Sequence, residues 1–406
     1  MTRVPPIPLA EAQARLLALA KPMSIERVDI PGAVGRYLAE PLYARRTQPA
    51  ADLSAMDGYA VCAGDLSGPW RVVGESSAGH PYAGPLAPGE AVRIATGALM
   101  PADADVVLLQ EDVAREDDAI RFIGELPEPP DKHVRRCGLD FHNGQEVLPA
   151  GIRIGPAQAA LAIAAGHKHM PVRRIPRVSV IDSGDELAED PDACALHQIP
   201  ASNAHMLAAL IRGLPVDALR LGPVADTMDA LAQSLSAASD SDVIVTSGGA
   251  SVGDHDLVKP ALEAWGAKLD FWRVAIKPGK PILVATRTNG GRQQIVIGLP
   301  GNPVSSYVTA YLFVMPLLRH LLGAGAPLPH RFRTTLAAPV PATGSRQEFR
   351  RGIWNGETVE PVAVQDSGAL ASLSASNVLI DRLSHSPAGQ VGDSAWVYWL
   401  QNGGSA

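Results

Sequence analysis

At 406 residues the chain is too long for one ordinary domain, and two to four domains are expected. Its 46% apolar content suffices for several cores, while a net charge of −7 argues against nucleic acid or an anionic membrane held by bulk charge. Cys62, Cys137 and Cys194 are far apart and lack metal-ligand spacing, which disfavours a disulfide framework or structural zinc and makes a reducing cytoplasm the default compartment.

No basic stretch followed by an apolar run opens the chain, so no secretory signal is expected. Nor is any apolar run long enough to cross a bilayer; residues 312–322 come nearest, interrupted by Pro316 and Arg319. In chain order, residues 8–20 predict a short helix, with Leu9, Leu16, Leu17 and Ala20 on one side and Pro22 as the stop. Short β-prone runs at 71–73, 91–94, 105–109 and 119–123 alternate with Gly, Pro and Asp turns, which predicts a β-rich domain. Residues 155–167 predict a helix, with Pro156 in its first turn and Gly166 at its C-cap. Paired with the first helix it would form a small stalk into which the β-rich domain is inserted.

From Pro176 strands and helices alternate. Strands are expected at 177–181, 216–221, 243–246, 268–275, 282–285 and 294–297, and helices at 203–212, 226–238, 257–265 and 303–322. This spacing predicts a doubly wound α/β domain with ligands at the C-terminal ends of its strands. After Gly323 comes a Pro- and Gly-rich linker, then strands at 331–340, 358–364 and 394–400 that suggest a small terminal β-barrel. The expected domains are 1–26 with 144–175 (stalk), 27–143 (inserted), 176–325 (α/β) and 326–406 (barrel).

Chemistry concentrates in the loops. In Ser247-Gly248-Gly249-Ala250-Ser251, a β-branched strand ends in hydroxyls and two glycines, a turn that lets backbone approach an anion. Pro300-Gly301-Asn302-Pro303 follows another apolar strand, with Asn302 suited to the N-cap and Pro303 to the first helical position. Lysines are scarce, yet Lys277 and Lys280 fall together in Lys277-Pro278-Gly279-Lys280-Pro281. Ser183-Gly184-Asp185-Glu186 sets two carboxylates beside these anion-suited turns. Either it is a polar loop with Asp185 capping a helix, or a divalent cation such as Mg²⁺ relieves the repulsion. Asp226 reads by default as an N-cap, and of Asp254 and Asp256 one is free for metal or proton work. Asp57-Gly58 reads as a hairpin turn or as a presented carboxylate, and Thr96-Gly97 as a phosphate contact or a turn. Asp140 is uninformative alone, and His167 and His169 read as surface residues.

Together these segments resemble one family, the molybdopterin molybdenumtransferases (MoeA), similar to the E domain of gephyrin. The resemblance runs through residues 54–61 (SAMDGYAV), Thr96-Gly97, 183–187 (SGDEL), 247–254 (SGGASVGD), 277–281 (KPGKP), 300–303 (PGNP), and 346–351 with Ser367-Gly368. It implies four domains and an elongated homodimer whose cleft lies between the α/β domain of one subunit and parts of the other. It also implies the reaction of adenylylated molybdopterin with molybdate, giving molybdenum cofactor and AMP with a divalent cation, Mg²⁺. Transient contacts with the molybdopterin adenylyltransferase and with recipient molybdoenzymes follow from the same resemblance. By motif, Asp57, Thr96, Asp140, Glu186, Asp226 and Asp256 form the catalytic set, with Glu186 and Asp256 at the metal. Ser183, Gly184, Asp185, Ser247, Gly248, Gly249, Ser251, Lys277, Lys280, Pro300, Asn302, Pro303, Arg346 and Ser367 form the binding wall. Ser183 stands where the family more often has threonine, and Pro200-Ala201 replaces a more polar lead-in to Ser202-Asn203. An adenylyl transfer from ATP is the competing enzyme activity, and an assembly scaffold the non-enzymatic alternative.

Overall fold

The computed structural model describes residues 6–248, 257–279 and 281–400. The first helix, Leu9–Leu19, buries Leu9, Ala12 and Leu16 against the core of the α/β unit. It does not pack beside the Pro156–Ala164 helix as expected, because its partner is the long helix that follows residue 302. That long helix runs as Pro303–Thr309, a π-helical turn at Ala310–Val314, and Met315–Leu321. The π turn ends two residues before Pro316, whose ring would crowd the carbonyl four residues earlier and which offers no N–H to it. That carbonyl, of Leu312, instead accepts a hydrogen bond of 2.8 Å from Nε2 of buried Gln13 in the first helix.

Ile25–Asp29 pairs antiparallel with His169–Arg173, and Leu42–Tyr43 with Glu146–Leu148. Ile30, Leu38, Leu42, Leu148, Ile154 and Met170 fill the core between them and the Pro156–Ala164 helix. His167 belongs to this packing and not to the surface: it is buried, with Nε2 2.8 Å from the Tyr43 carbonyl.

Between Tyr43 and Glu146 the chain leaves to build a six-stranded sheet. Its order is Val106–Leu109, Gly58–Val61, Glu90–Ile94, Trp70–Ser76, Ala119–Phe122 and Val113–Glu116. The four expected runs are strands of this sheet, and alternating Tyr59, Val61, Val106 and Leu108 close its core over Trp70.

Among the described residues the α/β unit rests on another six-stranded sheet, ordered Asp217–Val224, Arg177–Ser183, Val243–Ser247, Arg292–Leu299, Pro281–Asn289 and Lys268–Arg273. The first four strands are parallel and the last two antiparallel. Successive side chains alternate between two cores. Val243 and Val245 face the helices Asn203–Ile211 and Pro303–Thr309, while Ile244 faces Met228–Ala237 and Val258–Ala264. Both faces are therefore covered, which is why the strands read as continuous apolar runs.

The terminal unit is a closed barrel of Arg331–Leu336, Gln347–Trp354, Thr358–Pro361, Val378–Arg382 and Ser394–Trp399. Closure leaves its five strands with neighbours on both sides. A short strand of the α/β unit, Ile276–Lys277, pairs with the start of Gln347–Trp354 and joins the two units. No described helix is long and apolar enough to cross a membrane.

Candidate active site

The sheet order makes the C-terminal ends of Arg177–Ser183 and Val243–Ser247 a switch point. From the first strand the chain moves to one side for the second and to the other for the third, opening a crevice between their ends. Gly184 and Gly248 sit in it. Gly248 has φ +94°, and a Cβ there would lie 2.7 Å from the Ser183 carbonyl oxygen, so only glycine fits. The Gly248 N–H donates to Leu299 O at 3.2 Å, and a Cβ on Gly301 would come within 3.7 Å of Gly248 Cα. The turns after two strands are thus in contact. Asn203 ties them: its Nδ2 donates to Ser247 Oγ at 3.0 Å and to Gly301 O at 2.6 Å.

Three carboxylates crowd the same edge. Asp185 Oδ1 accepts from the Asp226 N–H at 3.0 Å, and Glu186 folds back over Gly184, where a Cβ would lie 2.6 Å from its Oε2. The Asp226 carboxyl is raised above the usual range, first by partial burial and then by the charges of Asp185 and Glu186. Asp226 is not the helix cap expected of it. Thr227 caps Met228–Ala237, its hydroxyl accepting from Ala230 N at 3.3 Å, which leaves Asp226 to face the other two acids. Gly249, Ser251, Asp256 and Lys280 lie outside the described residues. Among the described residues no group of three or more His, Cys, Asp or Glu is arranged to hold a metal ion.

Beyond Pro300, the second turn leads to the barrel. Asn302 occupies the N-cap and Pro303 the first helical position, yet the Asn302 side chain does not cap. It reaches Ser367 Oγ at 3.1 Å, and the Val304 N–H donates to Ser367 O at 3.0 Å. The helix end is thus partly closed by the barrel's own backbone. Beside it lies a cleft of ≈ 360 Å³ lined by Lys277, Ser305, Arg346, Arg350, Asp366 and Ser367. Lys277 Nζ is 3.1 Å from Glu348 Oε1, and Arg350 shares the same carboxylate at 3.4 Å. Arg351, fully buried, donates to the carbonyls of Asp366 (2.9 Å) and Val364 (3.1 Å) and so holds the loop that carries Ser367.

Asp57 is exposed, and its Oδ1 accepts the Thr96 N–H at 2.6 Å; that bond and one from the Thr96 side chain hold the carboxyl below its usual range. It is no hairpin turn. Leu53–Ser54 pairs with Val134–Arg135, whereas Gly58–Val61 pairs with two other strands. Gly58 is there for proximity, since a Cβ would fall 1.9 Å from Leu108 O. Asp140 is exposed in the loop after Val134–Arg135, its N–H donating to Gln48 O at 3.0 Å. Asp52 braces that loop through Arg136 (2.6 Å) and the Cys137 N–H (2.8 Å).

Comparison with known families gives three collinear matches: the MoeA N-terminal region (domain I and II) over residues 7–166, a probable molybdopterin binding domain over 179–320, and the MoeA C-terminal region (domain IV) over 333–399. The molybdopterin molybdenumtransferase of Haemophilus influenzae is 34% identical over 89% of this chain and 89% of its own length. The chain belongs to the MoeA family. A second molybdopterin molybdenumtransferase, from Nostoc, is 38% identical over 73% of this chain and 70% of its own. The crystal structure of the molybdopterin biosynthesis MoeA protein of Pyrococcus horikoshii OT3 superposes with a TM-score of 0.84 at 27% identity, covering 98% of this chain and 100% of that one. Within this MoeA chain, sequence reasoning passed over Asp182, Asn203, Glu348 and Asp52. Asp182 closes an apolar run and Asn203 stands in the Ser202-Asn203 pair already noted, both usable signals; Glu348 and Asp52 carry none.

Proposed function

We propose that this chain transfers molybdenum from molybdate to adenylylated molybdopterin and releases AMP, completing the molybdenum cofactor. The observation that carries this function is the collinear match to the MoeA regions, supported by near-full-length identity to molybdenumtransferases. Both substrates are anionic. The glycine turn at Gly248 and the Pro300–Pro303 turn approach a ligand with backbone, and Lys277, Arg346 and Arg350 set positive charge in the adjoining cleft. Ser183, Gly184, Asn302 and Ser367 shape the wall between them.

The carboxylates on the same edge fit a cation that such a ligand brings. Mg²⁺ takes one or two carboxylates and completes its shell with water and phosphate oxygens, so a closed protein cage is not required. Glu186 and Asp226 are the described candidates, and Asp256, assigned to the metal by the resemblance, lies outside the described residues; the ion would neutralise phosphate charge beside the described pair. Asp57, whose carboxyl the Thr96 contacts hold below its usual range, and Asp140 serve the molybdate end in this proposal. In this proposal a second copy of the chain supplies residues 45–141 to the cleft, as a homodimer. The chain would then divide as an inserted sheet, a stalk, an α/β unit and a barrel, with the first helix counted with the α/β unit on which it packs.

The test is AMP release from adenylylated molybdopterin. It should require molybdate and Mg²⁺, and Asp57→Ala should abolish it with the fold intact. Mixing Asp57→Ala with Glu186→Ala subunits should restore partial activity, because a mixed dimer keeps one unmodified cleft. Molybdate-independent release in the wild type would sink the proposed reaction. Failure of complementation would put both residues in one subunit's cleft.

A further inference from the structure

Ser247 carries a hydroxyl at the mouth of the glycine turn, which invites its assignment to the ligand. Its surroundings say otherwise. Ser247 is 1% exposed and lies opposite Asp182 in the parallel ladder. Its Oγ accepts a hydrogen bond from Asn203 Nδ2 at 3.0 Å, and the Asp182 carboxyl, paired with it across the ladder, is the acidic group beside its hydroxyl. The direction of this chain of bonds is set by chemistry. Gly301 O can only accept, so the Asn203 atom 2.6 Å from it must be the amide nitrogen. That nitrogen has two hydrogens, one for Gly301 O and one for Ser247 Oγ. The single Ser247 hydrogen is left for Asp182, whose other bond is taken from the Ala204 N–H at 2.8 Å.

We propose that Asp182, Ser247 and Asn203 form a positioning relay that sets the two ligand-facing turns against each other, and that Ser247 does not bind the substrate. Burial raises the Asp182 carboxyl, and the Ala204 N–H and the Ser247 hydroxyl counter that rise. With its one hydrogen turned to Asp182, the Ser247 hydroxyl does not also donate to a phosphate or to molybdate. The relay's part is to keep the Ser247–Gly248 backbone and the Gly301 carbonyl in register. Asp182, buried at 2% exposure, anchors one end to the start of the Asn203–Ile211 helix. Asn203 anchors the other end to the Pro300–Pro303 turn. The relay rests on the proposed function only for what the turns hold; its hydrogen bonds do not depend on it.

The experiment compares wild type, Ser247→Ala, Asn203→Asp and the double variant for AMP release and for binding of adenylylated molybdopterin. Asn203→Asp keeps the size of the side chain and removes both donors. Each single variant should lower kcat by roughly tenfold or more, as misplaced turns do, with Kd unchanged. The double variant should lose no more than the worse single, because both break one chain of bonds. Ser247→Thr, which keeps the hydroxyl, should recover most of the lost kcat. A Kd raised roughly tenfold or more in Ser247→Ala with kcat intact would make Ser247 a ligand contact and overturn the proposal. So would losses in kcat that simply multiply in the double variant. If the wild type releases no AMP, the proposed function fails on its own, and the relay is read from thermal unfolding. There the two substitutions must still be non-additive in Tm, and additive shifts overturn the relay.

Discussion

The two ends of the α/β sheet treat the same chemical group in opposite ways. At the N-terminal end Asp242, 4% exposed in its side chain, accepts from Arg174 at 2.9 Å, from the Arg177 N–H at 2.8 Å, and from Arg292 Nε and a terminal nitrogen at 2.9 and 2.8 Å. Burial pushes its carboxyl up, but Arg174, the Arg177 N–H and Arg292 outweigh that and hold it below the usual range. At the C-terminal end Asp226 meets Asp185 and Glu186, pairs with no described cation, and is raised. One end is neutralised from within and clamps three strands. The other keeps unneutralised charge where a ligand and its counter-ion would supply the missing partner. A carboxylate's use is therefore legible in what surrounds it and not in its exposure alone.

Asp242→Asn should have the largest effect on folding. It leaves two guanidinium groups without their anion, a loss of about 2–3 kcal/mol; Arg174 and Arg292 are 34% and 35% exposed, so the cost stays below that of a fully buried pair. Chemical denaturation checks it, and a loss below the scatter of surface substitutions would make the clamp decorative. Gly248→Ala should come next. Its strained φ and the 2.7 Å approach to Ser183 O should cost about 1–3 kcal/mol or displace the turn, with AMP release falling more than stability does.

The pH dependence of stability should separate the ends by sign. The depressed carboxyl of Asp242 contributes stability that is present above the ordinary carboxylate range and is lost as pH falls through its lower folded value. The raised carboxyl of Asp226 does the reverse: its ionisation destabilises the fold above its folded value, and the penalty vanishes as pH falls through the ordinary range. Asp242→Asn should therefore flatten the acid limb of the stability curve. Asp226→Asn should raise Tm slightly at neutral pH and not at low pH. The same sign in both variants would remove the contrast. The smallest expected effect is a rise in wild-type Tm on adding Mg²⁺, absent in Glu186→Gln and followed by differential scanning fluorimetry.

The frame of this contrast is legible in the sequence, but Asp242 and its arginines are not. Strand and helix alternation from Pro176 onward located the α/β unit, because strands covered on both faces must be apolar throughout, as Val243-Ile244-Val245 are. The glycine turns announced themselves, since few other residues reach φ +94° beside a backbone oxygen. What stayed hidden depends on contacts distant in sequence. Asp226 and Thr227 can each cap a helix, and only the Thr227 hydroxyl's bond to the Ala230 N–H decides between them. Asp57-Gly58 has the composition of a hairpin, but its glycine answers to Leu108 O across the sheet. Asn203 becomes informative once Ser247 and Gly301 are seen on either side of its amide. His167 looked like a surface residue because its partner, the Tyr43 carbonyl, is 124 residues away in sequence.

The most direct test of the division between the ends compares AMP release in Glu186→Gln and Asp242→Asn, with molybdate, Mg²⁺ and adenylylated molybdopterin supplied, at a temperature where both remain folded. Glu186→Gln should be inactive with a Tm no lower than that of the Mg²⁺-free wild type, and Asp242→Asn should turn over like the wild type despite its lower Tm. A fully active Glu186→Gln, or a folded Asp242→Asn that has lost turnover, would contradict the assignment of the chemistry to the C-terminal end.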